Sequence, residues 1–237
     1  MTSSTSSLRA LLFDFDGVLA DTEPIHLKMF QEVLKGEGIL LTESDYNEKY
    51  LGLDDRGCFE QVYKDQDKTL SSEKKVELIH AKNKRMLEFV RGASVLLPGV
   101  REFLESVNQK YYLAIVSGAL RNDIESILEG AGLRNKFSVL VAAEDVSIGK
   151  PNSEGYRMAI RLLNRDFVPA SEILLPQECL VIEDSPWGIE AAHGAGAKCL
   201  ALLTSYPKDR LTDADLIAPN LRALKWGEVI KLFPVLY

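Results

Sequence analysis

The chain has 237 residues, of which 46% are hydrophobic and 27% are charged, and its formal net charge is −7. These proportions are typical of an ordinary globular protein, and the length allows one large domain or a core with a smaller companion. The negative charge argues against a general binder of nucleic acid or of anionic membranes, because such proteins usually carry a basic face.

The cysteines and the first ten residues indicate the cellular compartment that we expect for the protein. Cys58, Cys179 and Cys199 are widely spaced and form no CxxC pair, so they predict neither a disulfide framework nor a zinc site. The start MTSSTSSLRA is polar, and the apolar run after it is broken by acidic residues, which is unlike a secretory signal. No apolar run approaches the ~20 residues that a bilayer span requires. We therefore expect a cytoplasmic protein.

The first third of the chain predicts one strand followed by helices. Residues 9–13 indicate a short buried strand. From Glu23 apolar residues recur every three or four positions, which predicts an amphipathic helix that ends near Gly36. Residues 42–91 continue as charged helical segments, and Ser71 and Ser72 mark the capped start of the last one. To the solvated face of that helix we assign Glu77, Lys82, Lys84, Arg85 and Glu88.

Strands and helices alternate in the remaining two thirds. The predicted strands are 111–118, 179–184 and 198–204, and 137–145 is interpreted as a strand and its exit. The predicted helices are 101–109, 120–130, 154–163 and 187–195, with a long loop at 164–178. This alternation predicts an α/β fold with a doubly wound parallel sheet.

The long helical stretch after the first strand predicts an insertion. Roughly seventy residues of helix separate the first strand from the next, whereas a simple crossover needs one helix. We expect an all-α cap domain at 23–93 inserted into an α/β core domain of residues 1–22 and 94–237. The hinges would lie near 18–24 and 91–98.

Polar residues follow the predicted strands at the edge where open α/β sheets bind ligands. The first strand ends in Asp14-Phe15-Asp16-Gly17, and the alternation of a strand directs both carboxylates to the same side. The strand at 111–118 ends in Ser117-Gly118, a hydroxyl followed by an amide that is able to face an oxyanion. Lys150 and the acidic pair Glu183-Asp184 complete the set.

Each of these features alone has an ordinary structural explanation. Asp16-Gly17 resembles a turn, Lys150 a surface lysine, and Glu183-Asp184 an acidic helix start. Together they indicate a chemical site. Clustered carboxylates need a hard divalent cation, and oxygen ligands suit Mg²⁺. A lysine and a hydroxyl beside that ion indicate a site for phosphoryl transfer.

The segments DFDGVLADT, VSG, GKP and VIEDSPWGIEAA resemble, in this order, the four motifs of the haloacid dehalogenase-like phosphohydrolases. The resemblance covers essentially the whole chain, including the helical insertion. It is strongest to the branch that contains β-phosphoglucomutase and many phosphatases of small metabolites.

This resemblance implies a role for each residue at the strand ends. Asp14 is expected to be the nucleophile that forms an aspartyl-phosphate, and Asp16 the general acid and base. Mg²⁺ would be held by the Asp14 carboxylate, the Asp16 backbone carbonyl and Asp184, with Glu183 close by or through water. Ser117, Gly118 and Lys150 would hold the phosphate. A dehalogenase does not need the second aspartate, so Asp16 favours phosphoryl transfer.

The predicted cap leaves a phosphatase and a mutase as alternatives. Thr22 and His26 occupy positions where the mutase branch has a hinge threonine and a histidine that gates proton transfer, although His26 fits a packing role equally well. Leu51 and Asp55 stand where the mutase pattern has a lysine and an arginine, and an acidic residue there would repel a second phosphate. Arg56 either compensates or is a surface residue.

We therefore expect a Mg²⁺-dependent phosphatase that hydrolyses a small phosphomonoester, with sugar phosphates as candidates and a β-phosphoglucomutase-type mutase as the alternative. A phospho-receiver signalling module is disfavoured because the Asp-x-Asp pair lies on the first strand. The expected partner is a small phosphorylated metabolite, with no nucleic acid or membrane, and the protein is expected to be a monomer. Trp187 is expected to be a core or helix-packing residue.

Overall fold

The computed structural model describes residues 7–51, 53, 55–90 and 95–234. It divides the chain into two compact units, Met1–Asp21 with Val95–Tyr237 and Thr22–Ser94. The predicted hinge near 91–98 lies partly outside the described residues. Within the described part of the chain, no helix has the length and apolar character that crossing a membrane requires.

The discontinuous first unit is built on a parallel sheet. Its strands are β1 (Ala10–Phe13), β2 (Tyr112–Val116), β3 (Val139–Val141), β4 (Cys179–Glu183), β5 (Lys198–Leu202) and β6 (Leu216–Ala218). Six strands in the described residues pair in the order β3-β2-β1-β4-β5-β6, and every pairing is parallel. The predicted fold class is confirmed.

Helices connect the strands and also make up the second unit. In chain order they are α1 (Glu23–Gly36), α2 (Glu43–Asp45), α3 (Asp55–Asp65), α4 (Ser72–Val90), α5 (Val100–Val107), α6 (Arg121–Gly130), α7 (Glu154–Asp166), α8 (Pro186–Gly194) and α9 (Trp226–Lys231). Helices α1 to α4 belong to the second unit. Helix α7 packs on β2 and β3, whereas α8 packs on β4 and β5.

The register of the central strands aligns the residues that follow them. Phe13 at the end of β1 pairs with Ile115 of β2 and with Ile182 of β4. Strands β1 and β4 are buried along their whole length, because helices cover the sheet. The polar residues that come next, Asp14 and the Glu183-Asp184 pair, therefore emerge side by side at one edge of the sheet.

The second unit has its own apolar core. Phe30 of α1 and Phe59 of α3 pack edge to face, with ring centroids 5.1 Å apart. A π-helical turn at Tyr46–Tyr50 follows α2, and both of its terminal tyrosines are buried in the same cluster. Ser71 caps α4, since its Oγ accepts the backbone N–H of Lys74 at 3.1 Å.

The structure corrects the predicted loop at 164–178. Helix α7 continues to Asp166, so the first three residues of that segment are helical. Asn164 then secures the segment, because its side chain donates to the Leu174 carbonyl at 2.9 Å and accepts the Leu174 N–H at 2.7 Å. Arg9 donates to the carbonyls of Ile173 and Glu172. Strand β6 and helix α9 were not predicted.

Candidate active site

Three carboxylates meet at the carboxyl ends of β1 and β4. Asp14, Glu183 and Asp184 each contribute an oxygen, and these oxygens all lie within 4.8 Å of one another. Glu183 is fully buried and Asp184 is 4% exposed. Such a group of buried acidic side chains repels itself unless cations or donors compensate.

The loop after β1 folds back tightly beside Asp184. The Asp14 N–H donates to the Ile182 carbonyl at 2.9 Å, which ends the ladder with β4. Gly17 then has a φ of 73°, and a Cβ at this position would lie 1.8 Å from Asp184 Oδ2. Only glycine fits here. This turn holds Asp16 close to the cluster, where its charge adds to the larger effect of burial in raising the pKa of Asp184.

Lys150 joins two of the carboxylates. Its Nζ lies 2.7 Å from Asp14 Oδ1 and 2.6 Å from Glu183 Oε1. Burial acts against the ammonium, but the charges of Asp14 and Glu183 outweigh it and hold the pKa of Lys150 above its usual value. The two carboxylates therefore favour the charged form of Lys150.

Glu183 is held from both sides of its carboxylate. Its Oε2 accepts the backbone N–H of Asp184 at 3.0 Å and the Ser185 hydroxyl at 3.0 Å. Its Oε1 accepts Lys150 and the hydroxyl of Tyr156 at 2.8 Å. Burial opposes ionisation, but Lys150, the Tyr156 hydroxyl and the Asp184 N–H keep the pKa of Glu183 below its usual value. Helix α8 also passes close, since a Cβ on Gly188 would lie 1.8 Å from the Glu183 carboxyl carbon.

Asp184 receives hydroxyl donors from the segment after β5. Ser205 Oγ donates to Asp184 Oδ2 at short range, and Thr204 Oγ1 lies 3.4 Å from the same oxygen. Thr204 also donates to the Gly17 carbonyl at 2.5 Å. Burial raises the pKa of Asp184 to about 6 despite the Ser205 bond.

Ser117 and Gly118 follow β2 at the same edge. The Ser117 N–H donates to the Val141 carbonyl at 3.0 Å, and its Oγ accepts the Ala119 N–H at 3.0 Å. A Cβ on Gly118 would meet nothing within 4 Å, so the backbone there borders open space. Ser117, Gly118 and Lys150 line a cavity of about 410 Å³ whose wall also includes Val146 and Ile148. This volume exceeds that of a phosphate and leaves room for an organic group.

The donor set of the cluster fits Mg²⁺. Among the described side chains that meet here, Asp14, Glu183 and Asp184 contribute oxygens, and Lys150 contributes a single ammonium. Burial raises the pKa of Asp14 well above its usual value, more than Lys150 lowers it. A divalent cation would stabilise the ionised carboxylates, and hard oxygen donors are the ligands that Mg²⁺ prefers.

The predicted site residues fall into two groups. Seven lie in the first unit at or beside the carboxyl edge of the sheet: Asp14, Asp16, Ser117, Gly118, Lys150, Glu183 and Asp184. Thr22, His26 and Arg56 lie in the helical unit. Sequence reasoning missed Tyr156 and Ser205. Ser205 could have been found, because it follows a predicted parallel strand as Ser117 does, whereas Tyr156 gave no signal beyond its place on an apolar helix face.

The helical unit contains a buried lysine that the prediction placed in solvent. Lys82 is 1% exposed, and its Nζ lies 2.5 Å from Asp55 Oδ1 and 4.6 Å from the centre of the Phe30 ring. Its ammonium donates a hydrogen bond to His26 Nδ1 at 2.8 Å, because an ammonium group cannot accept one. Burial and the Lys82 charge together lower the pKa of His26 to about 3.

Three further residues complete the comparison with the sequence. Thr22 is buried, and its carbonyl accepts the N–H groups of Ile25 and His26 at 2.9 Å, which starts α1. Arg56 is exposed in the first turn of α3. Of the core or helix-packing role expected for Trp187, the core role is wrong because the residue is 48% exposed. Its ring packs edge to face on Tyr206, with ring centroids 5.7 Å apart.

The sequence of the chain also matches the model of a known protein family. Residues 11–202 match the model of the haloacid dehalogenase-like hydrolases. The phosphorylated carbohydrates phosphatase of Thermotoga maritima is 30% identical over 190 residues, which cover 80% of this chain and 82% of that protein. The validoxylamine A 7'-phosphate phosphatase of Streptomyces hygroscopicus subsp. limoneus is 34% identical over 138 residues, which cover 58% of this chain and 61% of that protein.

A solved structure agrees over nearly the whole length. The crystal structure of a putative β-phosphoglucomutase from Thermotoga maritima superposes with a TM-score of 0.75 at 28% identity. The match covers 94% of this chain and 100% of that one. The relatives thus include proteins named as phosphatases and one named as a mutase.

Proposed function

This chain belongs to the haloacid dehalogenase-like hydrolases, and we propose that it is a Mg²⁺-dependent phosphatase that hydrolyses small phosphomonoesters, sugar phosphates among them. The observation that carries the proposal is the contact of Lys150 with Asp14 beside the carboxylates of Glu183 and Asp184. A carboxylate held by a buried ammonium next to a cation site suits attack on an anionic phosphate. The matched proteins named as phosphatases support the same reaction.

The first step transfers the phosphoryl group to the protein. A carboxylate oxygen of Asp14 attacks phosphorus, and the bond between phosphorus and the leaving oxygen breaks as Asp16 gives that oxygen a proton. Ser117, the Gly118 amide and Lys150 hold the phosphoryl oxygens. The Asp14 carboxylate, the Asp16 carbonyl and Asp184, with Glu183 close by, would hold Mg²⁺, which would neutralise negative charge on the carboxylates and the phosphate.

The second step returns the protein to its starting state. Asp16, now ionised, takes a proton from a water molecule, and that water attacks phosphorus. The bond between phosphorus and the Asp14 oxygen breaks, so the carboxylate is regenerated and inorganic phosphate is released. Asp16 therefore acts as acid in the first step and as base in the second, and its protonation state is the same before and after the cycle.

The mutase remains the second candidate because a protein named as a putative β-phosphoglucomutase has the same fold at 28% identity. A mutase must bind a second phosphate, which needs cationic groups. In the helical unit the ammonium of Lys82 is already paired with Asp55. This pairing leaves less positive charge for a second phosphate and favours the phosphatase. We also propose that residues 23–93 act as a cap that selects the substrate, and that the protein works as a cytoplasmic monomer.

The test is phosphate release with Mg²⁺ across a panel of phosphorylated metabolites. β-Glucose 1-phosphate is assayed in parallel for conversion to glucose 6-phosphate. Repeated release of free phosphate without isomer formation supports the phosphatase. Glucose 6-phosphate without phosphate release identifies a mutase, and a single stoichiometric phosphorylation without turnover identifies a receiver.

A further inference from the structure

Tyr156 of α7 touches the centre of the candidate site without belonging to any of its sequence motifs. It is 1% exposed, and its hydroxyl donates to Glu183 Oε1 at 2.8 Å. The same oxygen accepts the Lys150 ammonium at 2.6 Å. The Tyr156 hydroxyl and the Lys150 ammonium therefore share Glu183 Oε1 as their acceptor. Lys150 is held by this oxygen and by Asp14 Oδ1.

The ring of Tyr156 makes a second contact with the same lysine. Lys150 Nζ lies 5.4 Å from the centre of the ring, within the range in which an aromatic face attracts a cation. Burial and the charge of Glu183 raise the pKa of Tyr156 well above its usual value, so its hydroxyl stays a donor. Tyr156 thus contacts Lys150 directly through its ring and indirectly through Glu183.

The position of Tyr156 is set by close helix–strand packing. A Cβ on the preceding residue, Gly155, would lie 2.8 Å from Val116 Cγ1 of β2. Helix α7 therefore sits against the strand that delivers Ser117, with almost no space between them. The hydroxyl is presented to Glu183 by a rigid element, as a precise positioning contact requires.

We propose that Tyr156 is a positioning residue for phosphoryl transfer, an inference that rests on the proposed phosphatase function. Its hydroxyl fixes Glu183 Oε1, and this oxygen fixes Lys150 where the ammonium reaches both Asp14 and the transferring phosphate. Without the hydroxyl, Oε1 keeps only the ammonium and draws it away from Asp14. Tyr156 acts entirely through Glu183 and Lys150 and touches no reacting atom.

The first test is Tyr156→Phe, which removes the hydroxyl and keeps the ring. We expect kcat to fall roughly tenfold or more, as for loss of a hydrogen bond to a charged group, with KM changed less than about twofold. Tyr112→Phe is the matched control, because Tyr112 begins β2 at the opposite edge of the sheet. The control should keep the wild-type kcat, and melting temperatures are measured for both variants.

The second test is a double-mutant cycle with Glu183→Gln. If Tyr156 acts through Glu183, Tyr156→Phe should have less than about a twofold further effect on kcat in the Glu183→Gln background. Equal losses in both backgrounds, or a Tyr156→Phe enzyme with wild-type kcat and only a lower melting temperature, overturn the positioning role while the phosphatase function stands. A wild-type protein that releases no phosphate from any substrate overturns the proposed function and this inference with it.

Discussion

The Lys150 ammonium lies 2.7 Å from Oδ1 of Asp14. Asp14 is the residue that directly follows β1. This contact orients the carboxylate that we propose as the nucleophile. Glu183 Oε1 also holds Lys150 at 2.6 Å, so two carboxylates fix the position of the ammonium.

Asp14→Asn should reduce phosphate release to background. An amide is a poor nucleophile and cannot form the acyl-phosphate, whereas its size and shape preserve the fold. The measurement is steady-state turnover together with circular dichroism. Asp209→Asn, an exposed position of the same unit, is the control and should behave as wild type. Substantial residual turnover in Asp14→Asn would rule out the nucleophile assignment.

Asp16→Ala should slow turnover by at least the roughly hundredfold that a lost acid–base group typically causes. The loss in the first step should be larger for a sugar phosphate than for p-nitrophenyl phosphate, because p-nitrophenolate leaves without a proton. Rapid-mixing measurement of leaving-group release checks this. Equal losses of that step for both substrates would contradict the general-acid role.

Removal of divalent cations with a chelator should stop the reaction, and Mg²⁺ should restore it. Burial raises the pKa values of Asp14 and Asp184, so a bound divalent cation would stabilise the ionised form of both carboxylates. Ca²⁺ should substitute poorly, because its coordination is longer and less regular than that of Mg²⁺. Full activity of the chelated enzyme would exclude the metal role of the acidic cluster.

Ser205→Ala should raise the Mg²⁺ concentration needed for half-maximal activity by roughly tenfold to a hundredfold. The Ser205 hydroxyl donates to Asp184 Oδ2 and orients that proposed metal ligand. At saturating Mg²⁺ the activity should return close to wild type. Ser106→Ala is the control, because its hydroxyl donates within α5 to the Phe103 carbonyl. An unchanged Mg²⁺ requirement in Ser205→Ala would contradict the role.

The helical unit should lose stability as the pH falls from about 6.5 towards 3. The pKa of His26 is lowered from 6.5 to about 3, so the unfolded chain takes up the proton first. Stability then rises with pH across this window, by at most about 1.4 kcal/mol per pH unit from this residue. His26→Gln should flatten the slope in urea unfolding at pH 7 and pH 5. The exposed His80 of α4 provides the control, and a flattened slope in His80→Gln instead would refute the assignment.

The strand ends could be predicted from the sequence because burial and polarity change there within one or two residues. The apolar runs before Asp14, Ser117 and Glu183 indicated parallel strands, and such strands present their carboxyl ends at one edge. Strand β6 is only three residues long, and two of its residues are partly exposed, so burial and polarity do not change sharply at its end. Tyr156 escaped because contacts between a helix and a strand end depend on packing, which periodicity does not specify.

Lys82 is the one residue that the sequence wrongly assigned to the solvated face of α4, where Glu77, Lys84, Arg85 and Glu88 are exposed as expected. It lies four residues from both Leu78 and Met86, which are buried, so it belongs to the same stripe. Lysines are mostly exposed, and that general preference gave the wrong assignment. The decisive feature is Asp55, a partner on a different helix, and a single sequence does not reveal such a pairing.

The position of β1 in the sheet has a consequence for the order in which the protein is made. Among the described residues, Ala10 of β1 pairs with Tyr112 of β2 and with Cys179 of β4. During synthesis the first strand therefore leaves the ribosome long before β2 and β4, the strands it pairs with. The helical unit of residues 22–94 leaves the ribosome as one continuous segment, and its contacts are local in sequence. The acidic cluster forms only when Glu183 and Asp184 have been synthesised, so a shorter nascent chain carries Asp14 and Asp16 without the proposed metal site.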